Sequence, residues 1–294
     1  MTDTSDFAAV RDQLRLQMFD ATELGILELS TSAEEMPRVQ FVAAEVYIGL
    51  QIGDEAFVTV AQADAWGVPF TDALTVAFDS LPPLEIGLDR GAMEITDERQ
   101  VAALFLDPSR AASLEVAGDL AIVPLAQKRV VITGTDDEHG FGRALEVADQ
   151  LLAEGARLAS IHPIGSRNGQ WFPFPWRDRF PALASTINRV TREFGVRAYG
   201  EQASALDAGD VRVLEPKLDK LETGVTATFA TWLSGTTALL PVVDNVIIAS
   251  AQGQIGVLGF SQFIEQAGDA IVRTELAPLR YYIPDALKIA ANEG

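Results

Sequence analysis

The 294-residue chain has no cysteine. A disulfide framework, a thiolate zinc site and a cysteine nucleophile are therefore excluded. Histidine is nearly absent too, with only His139 and His162. No run of about 18 apolar residues occurs, so no transmembrane span is expected. The opening residues, Met1-Thr-Asp-Thr-Ser-Asp6, are acidic and lack the basic flank and apolar stretch of a signal peptide. Lysine is scarce, 4 residues against 18 arginines, which fits a GC-rich genome. Together these absences lead us to expect a cytoplasmic protein of bacterial type.

Positive charge is the largest deficit. The formal net charge is −20. Residues 1–100 carry 19 acidic and 5 basic side chains, so a net of −14 lies in that third. Such a field repels nucleic acid and anionic lipid, because both demand neutralisation of phosphates by Lys and Arg. Neither partner is expected. Solubility alone accounts for many acidic surfaces. A basic protein is the partner class this face would attract, through acidic residues such as Asp54, Glu55, Asp64 and Asp72.

With 48% hydrophobic residues the chain can fill a sizeable core, and its length suits about two domains. Residues 7–19 show apolar spacing that predicts a helix (Phe7, Val10, Leu14, Met18), and residues 22–30 and 39–52 read as extended. Residues 45–52 and 56–60 flank Gly53-Asp54-Glu55 like the arms of a hairpin. Thr71-Asp72 reads as the N-cap of a helix that Pro82-Pro83 ends. Two short helical pieces follow over 97–115, with Asp107-Pro108 opening the second.

Residues 120–124 and 129–133 predict paired strands, and Arg143–Glu154 a helix ended by Gly155. Asn168-Gly169 predicts a type I′ hairpin turn. Phe180, Leu183, Ile187, Val190 and Phe194 predict a helix stopped at Gly195. Strands are then expected over 196–205, 211–214, 225–232, 239–249 and 279–283, with a short helix near 260–266. The whole reads as α+β, with antiparallel sheets and helices on one face of them. Ala238–Pro241 and Val246–Ala249 weakly echo the 120–133 pattern, so the halves read as related hairpin–helix–hairpin modules. The expected domains are 1–176 and 177–294, either separate or packed as one body.

Chemical motifs are few. Val130–Gly142, a strand, then glycines, then a helix, has the outline of a dinucleotide-binding turn. Five residues separate Gly134 from Gly140, however, and Asp136, Asp137 and Glu138 among them repel phosphate. No tyrosine has a lysine four residues on. Thr135-Asp-Asp-Glu138 instead matches a capping box. The same loop offers Asp136, Asp137 and His139 as oxygen and nitrogen ligands for Mg²⁺ or Ca²⁺. Neither histidine has the context of a hydrolytic triad, and no Gly-x-Ser-x-Gly elbow occurs.

The run Trp171-Phe172-Pro-Phe174-Pro-Trp176 alternates rings with prolines. It reads first as core filling, and second as an exposed patch for a partner or a second copy of the chain. Arg177, Arg179, Arg189, Arg192 and Arg197 follow it. They form the one locally basic stretch, able to pair with the acidic third within the chain or across a dimer.

Gly118–Pro124, Arg129–Gly134, the helix over Ala144–Glu154 and Asn168–Phe174 resemble the YtpQ-like family of uncharacterised bacterial proteins, as does Trp66-Gly67 followed by Ala73–Leu81. The similarity covers residues 54–176, and it brings no reaction and no catalytic residue. The expectation is therefore a non-enzymatic protein that binds another protein, in an immunity-like, chaperone-like or adaptor role, with no cofactor. The alternatives are a metal-assisted or nucleotide-dependent enzyme using the Thr133–Gly142 loop, and a self-assembling structural protein.

Overall fold

A computed structural model of the chain describes residues 4–53, 57–85, 87–89, 91–220 and 225–289. The chain divides into two compact units, residues 1–187 and 188–294.

The first unit opens with α1 (Phe7–Val10), a short 3-10 turn and β1 (Leu14–Asp20). The helix expected over 7–19 thus gives way to a strand at Leu14. Leu14, Leu16 and Met18 alternate with half-buried Arg15 and Gln17, and this period of two governs the segment once it pairs with a neighbour. Residues 22–30, expected as extended, form α2 (Ala21–Glu28) instead, because the Asp20 carboxylate accepts from Glu23 N–H and caps the helix.

β2 (Val39–Ala43) and β3 (Val46–Ile52) form a hairpin that turns at Ala44, with β3 central in the antiparallel order β1-β3-β2. The hairpin expected across Gly53-Asp54-Glu55 has its tip outside the described residues, and its arms meet in a single bridge between Gln51 and Phe57. α3 (Val60–Ala65) and α4 (Phe70–Asp79) follow. Pro69, and not Thr71, is the N-cap of α4.

β4 (Met93–Ile95) leads into α5 (Glu98–Leu106), then β5 (Leu120–Ala126), β6 (Arg129–Gly134), α6 (Glu138–Ala153), β7 (Ile164–Arg167) and β8 (Gln170–Pro173). These strands form one antiparallel sheet in the order β4-β6-β5-β7-β8. The β7–β8 turn is the expected one, with Asn168 at φ 52° and Gly169 at φ 75°.

α5 holds the unit together. Residues 100–105 of it are all buried, and a helix apolar on every side belongs inside a core. It packs against β1 and β3 of the first sheet and β6 of the second. Leu16, Ile48, Leu104, Ile122 and Ile132 share one cluster. The opposite face of β5 and β6 is covered by α6 through Phe141, Leu145, Val147 and Leu151. Helices therefore lie on both faces of this sheet, not one, which is why β5 and β6 read as continuous apolar runs. α7 (Trp176–Arg179) closes the unit.

The unit boundary falls inside α8 (Ala184–Ala205). This helix runs straight through Gly195 and over the expected strand 196–205. Gly195 keeps a helical backbone, with no positive φ, so it does not act as a C-cap. In the second unit β9 (Arg212–Val213), β10 (Lys217–Lys220), β11 (Thr226–Leu233), β12 (Ala238–Pro241), β13 (Asn245–Ala249), β14 (Ile255–Gly259), α9 (Phe260–Ala267), β15 (Val272–Arg273) and β16 (Arg280–Ile283) build two sheets. Their orders are β10-β11-β13-β14 and β15-β16-β12-β9. The β11–β13 and β12–β9 pairings are parallel, the rest antiparallel. β12 and β13 lie in different sheets and do not pair, so the expected echo of the β5–β6 hairpin is absent.

Arg280 is fully buried in this unit. Its guanidinium donates to Gln202 Oε1 at 2.5 Å, Leu214 O at 2.6 Å, Leu239 O at 3.2 Å and Tyr199 O at 3.1 Å. It also stacks 5.0 Å from the Tyr199 ring centre. These acceptors are neutral, and burial pulls its pKa down to about 10. Tyr199 Oη in turn donates to Leu279 O and accepts from Val242 N–H. Removing the guanidinium would strand several buried acceptors at once. Arg280→Ala is expected to lower unfolding free energy by about 3–5 kcal/mol, read by urea denaturation, a loss typical of breaking a buried polar hub.

Candidate functional site

Of the expected Thr133–Gly142 loop only Thr135–Asp137 link β6 to α6, since residues 138–142 already form the start of the helix. Thr135 N–H donates to Asp119 O, Asp136 N–H to Ala117 O and Asp137 N–H to Gly134 O. Asp137 caps α6 by accepting from Gly140 N–H at 2.9 Å, and Thr133 Oγ1 donates to its other oxygen at 3.3 Å. The cap is thus Asp137, not the Thr135–Glu138 box. Thr135 Oγ1 accepts instead from Asp119 N–H. The amides of Thr135, Asp136, Asp137 and Gly140 are thus taken up by carbonyls and a carboxylate.

Gly118, at φ 83°, lets the 117–119 turn lie against the loop, where a Cβ would meet Thr135 Oγ1 at 2.6 Å. Asp136 accepts from Arg179 at 2.8 Å, and His139 is exposed on α6. Among the described residues no group of three or more His, Cys, Asp and Glu is arranged to hold a metal ion, and Asp136, Asp137 and His139 do not converge.

The aromatic–proline run packs inward. Trp171 Nε1 donates to Phe105 O at 3.0 Å, and the two rings lie 5.9 Å apart. Phe174, Trp176 and Phe180 gather around the buried Phe141 ring at 5.2, 5.6 and 5.2 Å. Phe172 is half-buried beneath the Arg167 guanidinium. The core-filling reading describes these rings. Downstream, Arg192 makes a two-pronged pair with Asp244 at 2.8 and 3.0 Å.

Of the acidic candidates, Asp64 on α3 and Asp72 on α4 are exposed. Asp54 and Glu55 lie outside the described residues. Asp72 and Asp79 are seven residues apart on α4 and so share one helical face. Beside that face is an open groove of about 410 Å³, lined by apolar Leu74, Phe78 and Leu106 and by polar Asp79, Asp107 and Gln40, with the Arg110 guanidinium 5.1 Å from the Phe78 ring centre. Asp79 is the last residue of α4, where the helix dipole disfavours negative charge. The groove draws on α4, β2 and the end of α5, and no local motif in the sequence announces it.

A second polar cluster, also unannounced in the sequence, is buried at the end of β1. Asp20 is fully buried, and its Oδ1 accepts from Glu23 N–H at 2.9 Å and Arg157 Nη2 at 3.0 Å. Its Oδ2 is buried with no hydrogen-bond partner. Gln127 Nε2 donates to Glu23 at 2.6 Å, and Ser160 Oγ donates to Glu45 at 2.5 Å. Burial pushes the Asp20 carboxyl above its ordinary 3.8, and the nearby Arg157 only partly offsets this. Glu23 is raised for the same reasons.

Compared with known proteins, the chain matches no family model, no curated protein and no solved structure.

The sign of the Asp20 effect is testable. A raised folded-state pKa means the native chain binds this proton at a pH where the unfolded chain has released it. The resulting stabilisation is complete below the ordinary value and is lost as pH rises through the folded one. Asp20→Asn keeps the cap on Glu23 N–H and removes the titration. Denaturant unfolding should show the variant at least as stable as the wild type at neutral pH. That advantage should shrink as pH falls toward the carboxylate range.

Proposed function

We propose that the chain binds a basic protein through the α4 groove of its first unit. The observation that carries this reading is the groove's chemistry, the Asp79 and Asp107 carboxylates lining it together with apolar Leu74, Phe78 and Leu106. An arginine or lysine side chain has the matching form, an apolar stem ending in a cation. The net of −14 over residues 1–100 adds a field that speeds encounter with a cationic partner. Asp79 supports the reading a second way. A carboxylate at a helix C-terminus costs about 0.3–1 kcal/mol, so its placement favours binding over stability.

The role is that of an inhibitor-like or adaptor-like protein, with no chemistry of its own in the groove. The resemblance to the YtpQ-like family adds no residue role to it.

The test uses a fluorescently labelled arginine–leucine peptide and anisotropy at two salt concentrations. Asp79→Asn with Asp107→Asn should weaken binding about tenfold and flatten its salt dependence. Asn at 107 still caps the 3-10 turn that Asp107 opens, so the fold is kept. Glu34→Gln with Glu115→Gln removes the same formal charge from exposed positions elsewhere. That control should change affinity by less than about twofold. Equal weakening in both doubles would mean that net charge alone attracts the peptide, and the groove assignment would fall.

A further inference from the structure

The edge strand β14 bears exposed Ile255 and Val257, 69% and 58% accessible. It ends the order β10-β11-β13-β14 and pairs only with β13 among the described strands. Which of its backbone groups are open follows from the ladder. Phe260 N–H donates to Asp244 O and Ser250 N–H to Gln254 O, which fixes 244 with 260 and 250 with 254 as hydrogen-bonded pairs. Antiparallel pairs alternate, so Gly256 and Leu258 face β13. The N–H and C=O of Ile255 and Val257, and the N–H of Gly259, face away from the sheet.

Natural edge strands usually carry a lysine, a proline or a bulge that discourages pairing. β14 has none: its sequence is Ile-Gly-Val-Leu-Gly and its register with β13 is regular. Moreover, Ser250 to Ile264 contains no charged residue, in a chain of net charge −20. The strand and its flanks therefore bring no carboxylate of their own to a contact between two copies.

We infer that β14 is a self-pairing edge that joins two copies of the chain through an antiparallel β14–β14 contact centred on Val257. In that register the two Val257 residues exchange both backbone hydrogen bonds. Each Gly259 N–H donates to Ile255 O of the other copy. Ile255 lies opposite Gly259, whose missing side chain leaves room for the branched one. The outward Ile255 and Val257 of both copies then form one apolar strip, continued by half-buried Ile247. Pairing of one short strand buries little area, so the dimer is weak and forms only as concentration rises.

Sedimentation velocity over a concentration series tests this. The wild-type chain should pass from monomer to dimer. Val257→Lys, at an exposed position, should weaken the dimer at least about tenfold with an unchanged circular dichroism spectrum. Val272→Lys is the control for general apolar adhesion, since Val272 is 59% exposed on β15 of the other sheet, and it should leave dimerisation intact. A wild-type chain that stays monomeric across the series would overturn the inference. So would a Val257→Lys chain that dimerises normally, or a Val272→Lys chain that loses the dimer equally.

Discussion

The first unit depends on one constraint, that α5 is surrounded. Its residues 100–105 have no solvent-facing side, so two sheets must close over it, and each polar group it carries needs an internal partner. The chain meets these demands from distant positions. Asp97 caps the N-terminus by accepting from Arg99 N–H and Gln100 N–H. The one polar side chain inside, Gln100, donates to Pro82 O and accepts from Arg110. At the other end the Phe105 carbonyl receives the Trp171 indole N–H. That bond explains why a tryptophan stands on β8, and why a run that looks like an interaction motif is packing.

Buried polar groups are treated in two different ways. Arg280 is held mainly by neutral groups: its donors reach acceptors on several segments of the second unit, and the attraction of Glu215 does not outweigh burial. Asp20 is undersatisfied. One oxygen is doubly used as a helix cap and an Arg157 acceptor, and the other has no partner. An unmet buried acceptor costs about 1–3 kcal/mol. A proton on Asp20 lowers that cost, so burial favours the neutral carboxyl. Asp244 shows the balance reversed. Burial pushes it upward, yet the Arg192 pair and the Thr228 N–H and hydroxyl hold it below the ordinary range.

Local chemistry was legible in the sequence where it is self-contained. Asn168-Gly169 specifies its turn because both residues tolerate positive φ, and the β5–β6 pair is announced by its apolar runs. The α+β class followed from such elements. The sequence is ambiguous where two periods fit one segment. Phe7, Val10, Leu14 and Met18 suit a helix, while Leu14, Leu16 and Met18 suit a strand, and pairing with β3 decides between them. Gly195 looked like a stop because a glycine at a helix end is common, but only a positive φ makes it one. The Asp20 cluster was not legible at all, since it gathers positions 20, 23, 45, 127, 157 and 160 from separate elements.

The distribution of charge links the two surfaces of interest. In a chain with 42 acidic residues against 22 basic ones, like-charge repulsion opposes any close approach between copies. The basic partner proposed for α4 would be drawn by the same acidity that opposes self-association. Self-association needs a neutral window, and Ser250–Ile264 supplies one with an open strand edge inside it. The two surfaces should differ in their response to salt. Screening would weaken attraction of the proposed partner at the α4 groove, and it would relieve the residual repulsion between two copies meeting at β14.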